Sequence, residues 1–269
     1  MDDATQPTAD TDWETRGRQA MLMVVQDIIE LTQKLIDTNL SDEKVWFRNL
    51  LVGILNSARR DYRSVEIGVK QSPYLAAWGA RSLLELRVIA AFVVKSEQNA
   101  LQIKADFVSD QAEFWTAVIK SSVATHPQLV NSMRELAADA GFMEEAFLSA
   151  AREEQERGAP IREPRAEAAA IKQVMNESGM DRDRAPRPFK EMAKAVGLLE
   201  IYDPRSKMYS KLVHATALSI ASSTTAGSLD ALMPLFECQA GTDLMMIYSS
   251  VKDHLEAHGI APKADPVEI

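Results

Sequence analysis

One segment of the chain, between Pro73 and Lys95, is apolar on almost every side of the helix that it predicts. It reads PYLAAWGARSLLELRVIAAFVVK and is long enough to span a membrane. Arg81, Glu85 and Arg87 lie near its middle, however, where charged side chains are costly in lipid. We therefore expect a helix in the core of a globular domain, in which ionic side chains must be paired or functional.

The composition favours an all-α protein. The chain has 269 residues, of which 46% are apolar and 26% charged, as is ordinary for globular proteins. Only 11 residues are glycine, and stretches that alternate Val, Ile or Thr with polar residues are missing. Helix-length segments with capped ends predict an antiparallel helical bundle of about eight to nine helices with an irregular insertion.

Caps, prolines and hydrophobic spacing divide the chain into predicted helices. The predicted helices cover about 12–38, 42–69, 73–95, 97–121, 127–157 with a break at Gly141 as an alternative, 164–178, 204–223 and 235–257. We expect disordered ends at 1–11 and 258–269 and a single helical domain over 12–257. Within this domain, 158–188 is rich in Pro, Gly and mixed charge, which predicts a flexible or irregular excursion.

Charge and cysteine content limit the partners and the compartment. A net charge of −9 disfavours binding to a phosphate backbone, so nucleic acid is a less favoured partner. Cys238 is the single cysteine, which excludes an intrachain disulfide and indicates a reducing compartment. The acidic N-terminus has neither the basic start nor the apolar centre of a secretory signal. We predict a cytoplasmic protein with no membrane partner.

The first candidate site is the pair Arg81 and Glu85. They lie one turn apart on the central segment and can bond each other or a third group. Such a pair is either a buried ion pair that fixes helix packing or a recognition or catalytic arginine held by a carboxylate. Gly79 and Ala80 allow another helix to come close at that level.

The second candidate site is the segment that contains Tyr209, Ser210, Lys211 and His214. His214 lies one turn beyond Ser210, among small and apolar residues. A lone histidine in such surroundings is a partly buried core residue in one interpretation. In the other, it is a general acid or base that works near neutral pH.

The two elements ARSLLEL and YSKLVHATA together resemble an uncharacterised bacterial family of all-helical proteins. This domain of unknown function has an Arg-Ser-Leu-x-Glu element followed far downstream by a Ser-x-x-x-His element. The resemblance spans 74–222. It singles out Arg81, Ser82, Glu85, Ser210 and His214, with Tyr209 adjacent.

The same elements are remotely similar to HEPN proteins, helical proteins of bacterial defence systems that include metal-independent ribonucleases. Such enzymes place an arginine four to six residues before a histidine on one helix. Here Lys211 lies three residues before His214 and Arg205 nine before it. The resemblance implies that His214 moves a proton at the 2′-hydroxyl or leaving oxygen, while Arg81, from another helix, stabilises charge on the phosphate.

Metal and cofactor motifs are weak in this sequence. Asp106, Asp110 and Glu113 share a helix face, which is typical of a solvated acidic surface, since no Glu-x-x-His pairs accompany them. His254 and His258 have the spacing of two zinc ligands, but a pair alone is incomplete, and histidine is also favoured near a helix C-terminus. We predict no metal and no cofactor.

These observations favour a non-catalytic helical binding or interaction protein with a role in defence or stress. We expect Arg81, Glu85, Ser210 and His214 to meet in one internal polar cluster, with Tyr209 and Lys211 beside them. A homodimer is expected, and a protein partner or a small ligand is the expected binding target. The alternative is a HEPN-like ribonuclease or toxin, in which Arg81 and His214 are catalytic.

Overall fold

The computed structural model describes residues 9–38, 42–104, 106, 188–213, 229 and 231–258. Every regular element in these ranges is α-helical, which confirms the all-α prediction. The helices are α1 (Ala9–Asp37), α2 (Asp42–Gln71), α3 (Pro73–Lys95), α4 (97–104), α5 (Phe189–Ala195), α6 (Leu199–Val213) and α7 (Met233–Ala257). None of the described helices combines the length and the apolar character that crossing a membrane requires.

The chain divides into two compact units, each described here by itself. One comprises Met1–Lys95 with Pro188–Ile269, and the other comprises Ser96–Arg187. In the second unit the Asn99 amide donates to the Ser96 hydroxyl, so that Ser96 caps α4 as predicted. The single domain over 12–257 stays a prediction, and the excursion at 158–188 lies outside the described residues except for Pro188.

Helix α3 is the central helix of the first unit. It contacts α2, α5, α6 and α7, which explains why its sequence is apolar on almost every side. The Ser72 hydroxyl and Pro73 begin it, with the Leu75 amide 3.5 Å from the Ser72 oxygen. Its buried residues are Ala76, Ala77, Gly79, Ala80, Leu83, Leu84, Arg87, Val88, Ala90, Phe92 and Val93.

Helices α2 and α3 form a close antiparallel pair. A Cβ atom added to Gly68 would lie 2.3 Å from the Ala76 amide nitrogen. A Cβ atom added to Gly79 would lie 2.8 Å from the Asp61 carbonyl oxygen and 3.1 Å from the Val65 amide nitrogen. The expectation that Gly79 allows close helix approach is therefore confirmed, and α2 is the helix that approaches.

Helix α7 runs in the same direction as α3. Arg87 of α3 pairs with Asp243 of α7. Farther toward both C-termini, Val94 of α3 contacts His254 of α7, so residue numbers rise in the same direction along the two helices. The first unit thus contains both antiparallel and parallel neighbours. The bundle of about eight to nine antiparallel helices stays a prediction for the whole chain.

The predicted helix start at Asp203 and Pro204 is wrong, because α6 already begins at Leu199. The Ile201 and Tyr202 amides both donate to the Leu198 carbonyl, which forms the first turn. Pro204 is therefore inside the helix, where its ring costs one backbone hydrogen bond near the N-terminus. The predicted starts at Asp12 and Leu235 are also late, since α1 begins at Ala9 and α7 at Met233.

Helix α5 was not predicted, although its C-terminus has a sequence signal. Gly197 has a φ of 75°, a left-handed conformation that favours glycine. The Leu198 amide donates to the Ala193 carbonyl at 2.8 Å and the Gly197 amide to the Lys194 carbonyl at 3.3 Å. This Schellman motif ends α5 and turns the chain directly into α6.

Alanine substitution at two helical glycines tests the close approach of α2 and α3. We expect Gly79→Ala to lower the free energy of unfolding by about 1–3 kcal/mol, because the new methyl group meets the backbone of α2. Gly53→Ala is the matched control, since nothing lies within 4 Å of a Cβ there. The control should gain roughly 0.5–1 kcal/mol from helix propensity. Urea denaturation followed by circular dichroism measures both, and equal effects would contradict the packing.

Candidate functional site

Arg81 and Glu85 form the ion pair that their spacing predicts. The Arg81 Nε donates to the Glu85 Oε1 at 3.0 Å, and the two side chains are 25% and 23% exposed. Their charges act on Tyr202 of α6, whose pKa is raised mainly by burial, while a hydrogen bond with Ser206 lowers it. The pair therefore faces α6 from a half-buried position and is accessible to solvent.

The second predicted site is described only in part. Tyr209 is fully buried, Ser210 is half-buried and Lys211 is exposed, and all three lie on the last turns of α6. His214 lies outside the described residues. The predicted contact of His214 with Arg81 therefore stays a prediction. Of the residues predicted for the second site, Tyr209 belongs to a buried group of polar side chains.

That group is the buried polar cluster, formed by Arg87, Arg205, Tyr209, Gln239 and Asp243. The Asp243 carboxylate has no exposed surface and accepts hydrogen bonds from two guanidinium groups. Arg87 Nη1 and Arg205 Nη1 donate to Oδ1 at 3.0 and 3.1 Å, and Arg205 Nη2 donates to Oδ2. One carboxylate thus joins α3, α6 and α7.

Tyr209 and Gln239 extend the buried polar cluster. Arg205 Nη2 donates to the Tyr209 hydroxyl at 3.3 Å, and the hydroxyl donates to Gln239 Oε1 at 2.5 Å. The Tyr209 ring packs edge-on against Phe236, which is also fully buried. The hydroxyl is therefore satisfied as both acceptor and donor, as a buried polar group requires.

Burial and the neighbouring charges shift the pKa values of Arg205 and Tyr209 in the buried polar cluster. Burial alone would lower the pKa of Arg205, but the hydrogen bond and charge of Asp243 outweigh burial and raise it. Burial raises the pKa of the Tyr209 hydroxyl, against the effect of the Arg205 cation. Among the described residues, one carboxylate pairs with the two guanidinium groups of the cluster.

One hydrogen-bond donor of the buried polar cluster has no acceptor among the described residues. Arg205 Nε is buried and finds no hydrogen-bond partner among the described residues. A buried donor without a partner costs about 1–3 kcal/mol. The two arginines nevertheless hold the carboxylate from both sides.

The sequence indicates that Arg87 must be paired, but it does not identify Asp243 as the partner, because the two residues are 156 positions apart and share no local spacing. A signal exists nevertheless. Asp243 lies three residues after Ala240 and four before Ile247, on the buried stripe of α7. Arg87 lies three residues after Leu84 on the buried stripe of α3. Opposite charges on two core-facing stripes indicate a buried ion pair.

A separate cleft of about 750 Å³ lies where the C-terminal ends of α3, α5 and α7 meet. It contains the predicted pair His254 and His258, whose rings stack with centroids 4.1 Å apart. Burial and the nearby His258 lower the pKa of His254, against the Val94 carbonyl. Among the described residues no group of three metal-binding side chains occurs. Of the predicted acidic face, Asp110 and Glu113 lie outside the described residues.

The comparisons with known proteins return one family and no individual relative. The model of a family of unknown function, DUF5677, matches residues 48–228, more than half of the chain. No curated protein and no solved structure matches the chain. The matched residues include Arg87, Arg205 and Tyr209, whereas Gln239 and Asp243 lie beyond them.

Replacing one carboxylate by an amide tests the buried polar cluster. We expect Asp243→Asn to lower the free energy of unfolding by about 3–5 kcal/mol, because it leaves two buried guanidinium groups without a counter-charge. Glu237→Gln is the same chemical change on the same helix, where the partner Arg18 is largely exposed and 3.7 Å away. This control should cost less than about 1 kcal/mol. Similar losses in both variants, measured by urea denaturation, would contradict the role of Asp243.

Proposed function

The chain belongs to DUF5677, a family of unknown function, and we propose that it is a non-catalytic helical interaction protein that associates with a second copy of itself. One observation carries this proposal. Helix α1 exposes large apolar side chains at regular spacing, beside the face that it packs in the core. We also propose that it works in the cytoplasm, as its single cysteine indicates, and in bacterial defence or stress, as the resemblance implies.

The burial of the main polar cluster supports binding rather than catalysis. Asp243 and Tyr209 have no exposed surface, and Arg87 is 8% exposed. A catalytic group must reach its substrate, and substrates bind in open pockets. The cluster therefore stabilises the packing of α3, α6 and α7. Partner proteins must bind through exposed residues instead.

The proposed contact surface is the apolar stripe of α1, formed by Leu22, Ile29 and Ile36. The three residues are seven positions apart and are 63%, 38% and 51% exposed. Seven residues are nearly two helical turns, so all three lie on one face over about 21 Å. Exposed apolar residues in a row are typical of protein contact surfaces.

On this helix face, the two side chains that lie between the apolar residues are uncharged amides. Gln26 and Gln33 follow Leu22 and Ile29 by four positions, and each donates along the helix, to Glu30 and Asp37. In a chain with a net charge of −9, an uncharged stripe is where two copies can approach with least repulsion. A closed dimer also lets the same patch cover itself, which argues for a second copy as the occupant.

A metal-independent, HEPN-like ribonuclease or toxin is the second candidate. The half-buried Arg81 faces α6, the helix that leads toward His214, which favours this alternative. In that case Arg81 would contact a phosphate while Glu85 holds its guanidinium group at 3.0 Å. Ser210 and Lys211 would then lie next to the bound RNA.

A charged residue in the apolar stripe tests self-association. We expect the wild-type protein to have the mass of a dimer and Ile29→Glu that of a monomer, because two carboxylates would be buried in the interface. Ile201→Glu is a matched control, since Ile201 on α6 has the same 38% exposure. This control should remain a dimer. Size-exclusion chromatography with light scattering gives the masses, and a wild-type monomer would overturn the proposed dimer.

Cleavage of RNA separates the two candidate functions. We expect purified protein to leave single-stranded and structured RNA intact at neutral pH over hours, because the described cluster is closed to a polymer. Cleavage that is lost in His214→Ala but kept in His126→Ala would establish the ribonuclease instead. A parallel loss in Arg81→Ala would identify the guanidinium group as part of that site.

A further inference from the structure

His254 and His258 form a stacked pair at the end of α7 that the proposed self-association does not use. Their ring centroids are 4.1 Å apart and their planes differ by 30°. His254 is half-buried, and its ring packs edge-on against Phe47 of α2 at 5.3 Å, whereas His258 is exposed. The His254 ring also contacts the Val94 carbonyl of α3. One histidine side chain therefore joins the end of α7 to both α2 and α3.

The hydrogen bonds of the pair show where each ring takes up a proton. His254 Nδ1 lies 3.2 Å from the Val94 carbonyl oxygen, and His258 Nδ1 lies 2.8 Å from the His254 carbonyl oxygen. A carbonyl oxygen accepts only, so Nδ1 carries a hydrogen in both rings. The proton that makes either ring a cation therefore binds at Nε2.

Few charged groups surround the His254 ring. It meets the Phe47 ring of α2 and the Val94 carbonyl of α3, and neither is charged. The cleft wall beside it has one ammonium group, that of Lys95, which donates to a carbonyl at the end of α5 at 2.6 Å. Asp253 supplies the one carboxylate of that wall, and the residues from the end of α5 are uncharged.

The other charges at the end of α7 do not neutralise the histidines. Lys252 Nζ lies 3.9 Å from Glu256 Oε1, so these two side chains pair with each other. Among the described residues, no carboxylate forms an ion pair with His254 or His258. A proton on either ring therefore adds a charge that no salt bridge compensates.

We propose that the stack of His254 and His258 is an acid-sensitive contact, which holds the end of α7 against α2 and α3 at neutral pH and releases it as the pH falls toward about 5. With both rings protonated, two cations would lie 4.1 Å apart. Rotation of the exposed His258 ring into solvent relieves this repulsion. His254 can be fully hydrated only by leaving Phe47 and Val94, which frees the end of α7.

The direction of the pH effect follows from the two states of His254. Burial, and next the charge of His258, lower the pKa of His254 in the folded protein from its usual value of 6.5. The opened state, with the ring in water, therefore binds more protons than the closed state between the two pKa values. The contact is fully stable above the usual pKa and weakens as the pH falls through the folded value.

Titration of the histidines in the full-length protein by NMR tests the contact. We expect the pKa of His254 to be lower than that of a solvated histidine, and to rise in His258→Ala because the neighbouring cation is removed. Between pH 7 and 5.5, the last turn of α7 should lose protection from hydrogen exchange, corrected for intrinsic rates. The loss should be at most tenfold for each unit by which the pKa is lowered. Amides in the middle of α3 should keep their protection.

His254→Gln is the variant that does not titrate but keeps a donor for the Val94 carbonyl, and it should remove the pH dependence at the end of α7. His126→Ala, which removes a histidine elsewhere in the sequence, is the control and should behave like the wild type. Circular dichroism checks that both fold. A wild-type pKa of His254 at or above that of a solvated histidine would overturn the proposal, as would the same loss of protection in His254→Gln. Neither result bears on the mass of Ile29→Glu, so this contact and the proposed dimer fail independently.

Discussion

The arrangement of the first unit depends on one buried carboxylate. Asp243 has no exposed surface, and a charge in that position is tolerated only when it is paired and hydrogen-bonded. Its two partners come from different helices, Arg87 from α3 and Arg205 from α6. Because both guanidinium groups must reach the same carboxylate, the positions of α6 and α7 relative to α3 are linked. Apolar packing alone is non-directional and would fix the positions of these three helices along one another less strictly.

Backbone proximity at α3 is the second constraint on the arrangement. Gly79 brings α2 so close that a methyl group would meet the Asp61 carbonyl, and Gly68 does the same near Ala76. With α2 this near on one side, and α5, α6 and α7 on the others, α3 has little surface left for water. The apolar character of its sequence on nearly every side follows from this position, and its few charges must be paired inside the protein.

Most of the described helices could be predicted from neighbouring residues in the sequence. The ion pairs between residues far apart in sequence could not. Ser72 with Pro73 and Ser96 begin α3 and α4 as expected, because capping depends on neighbouring residues alone. The start of α6 was misplaced because Pro204 is a strong local signal that tertiary packing overrides. Likewise the spacing of Arg81 and Glu85 revealed a half-buried pair, while the fully buried Asp243 has partners far away in sequence.

Helix α7 links the interior of the first unit to its accessible surface. It supplies Asp243 to the buried polar cluster and His254 to the cleft, and both contact α3 or its end. The residues that match the family end at 228, before α7 begins. A chain limited to the matched residues would lack α7, so Arg87 and Arg205 would lose their carboxylate and the apolar faces of α2 and α3 that α7 covers would be exposed to water. The cooperative folding unit of this protein must therefore extend beyond the matched residues to at least Asp243.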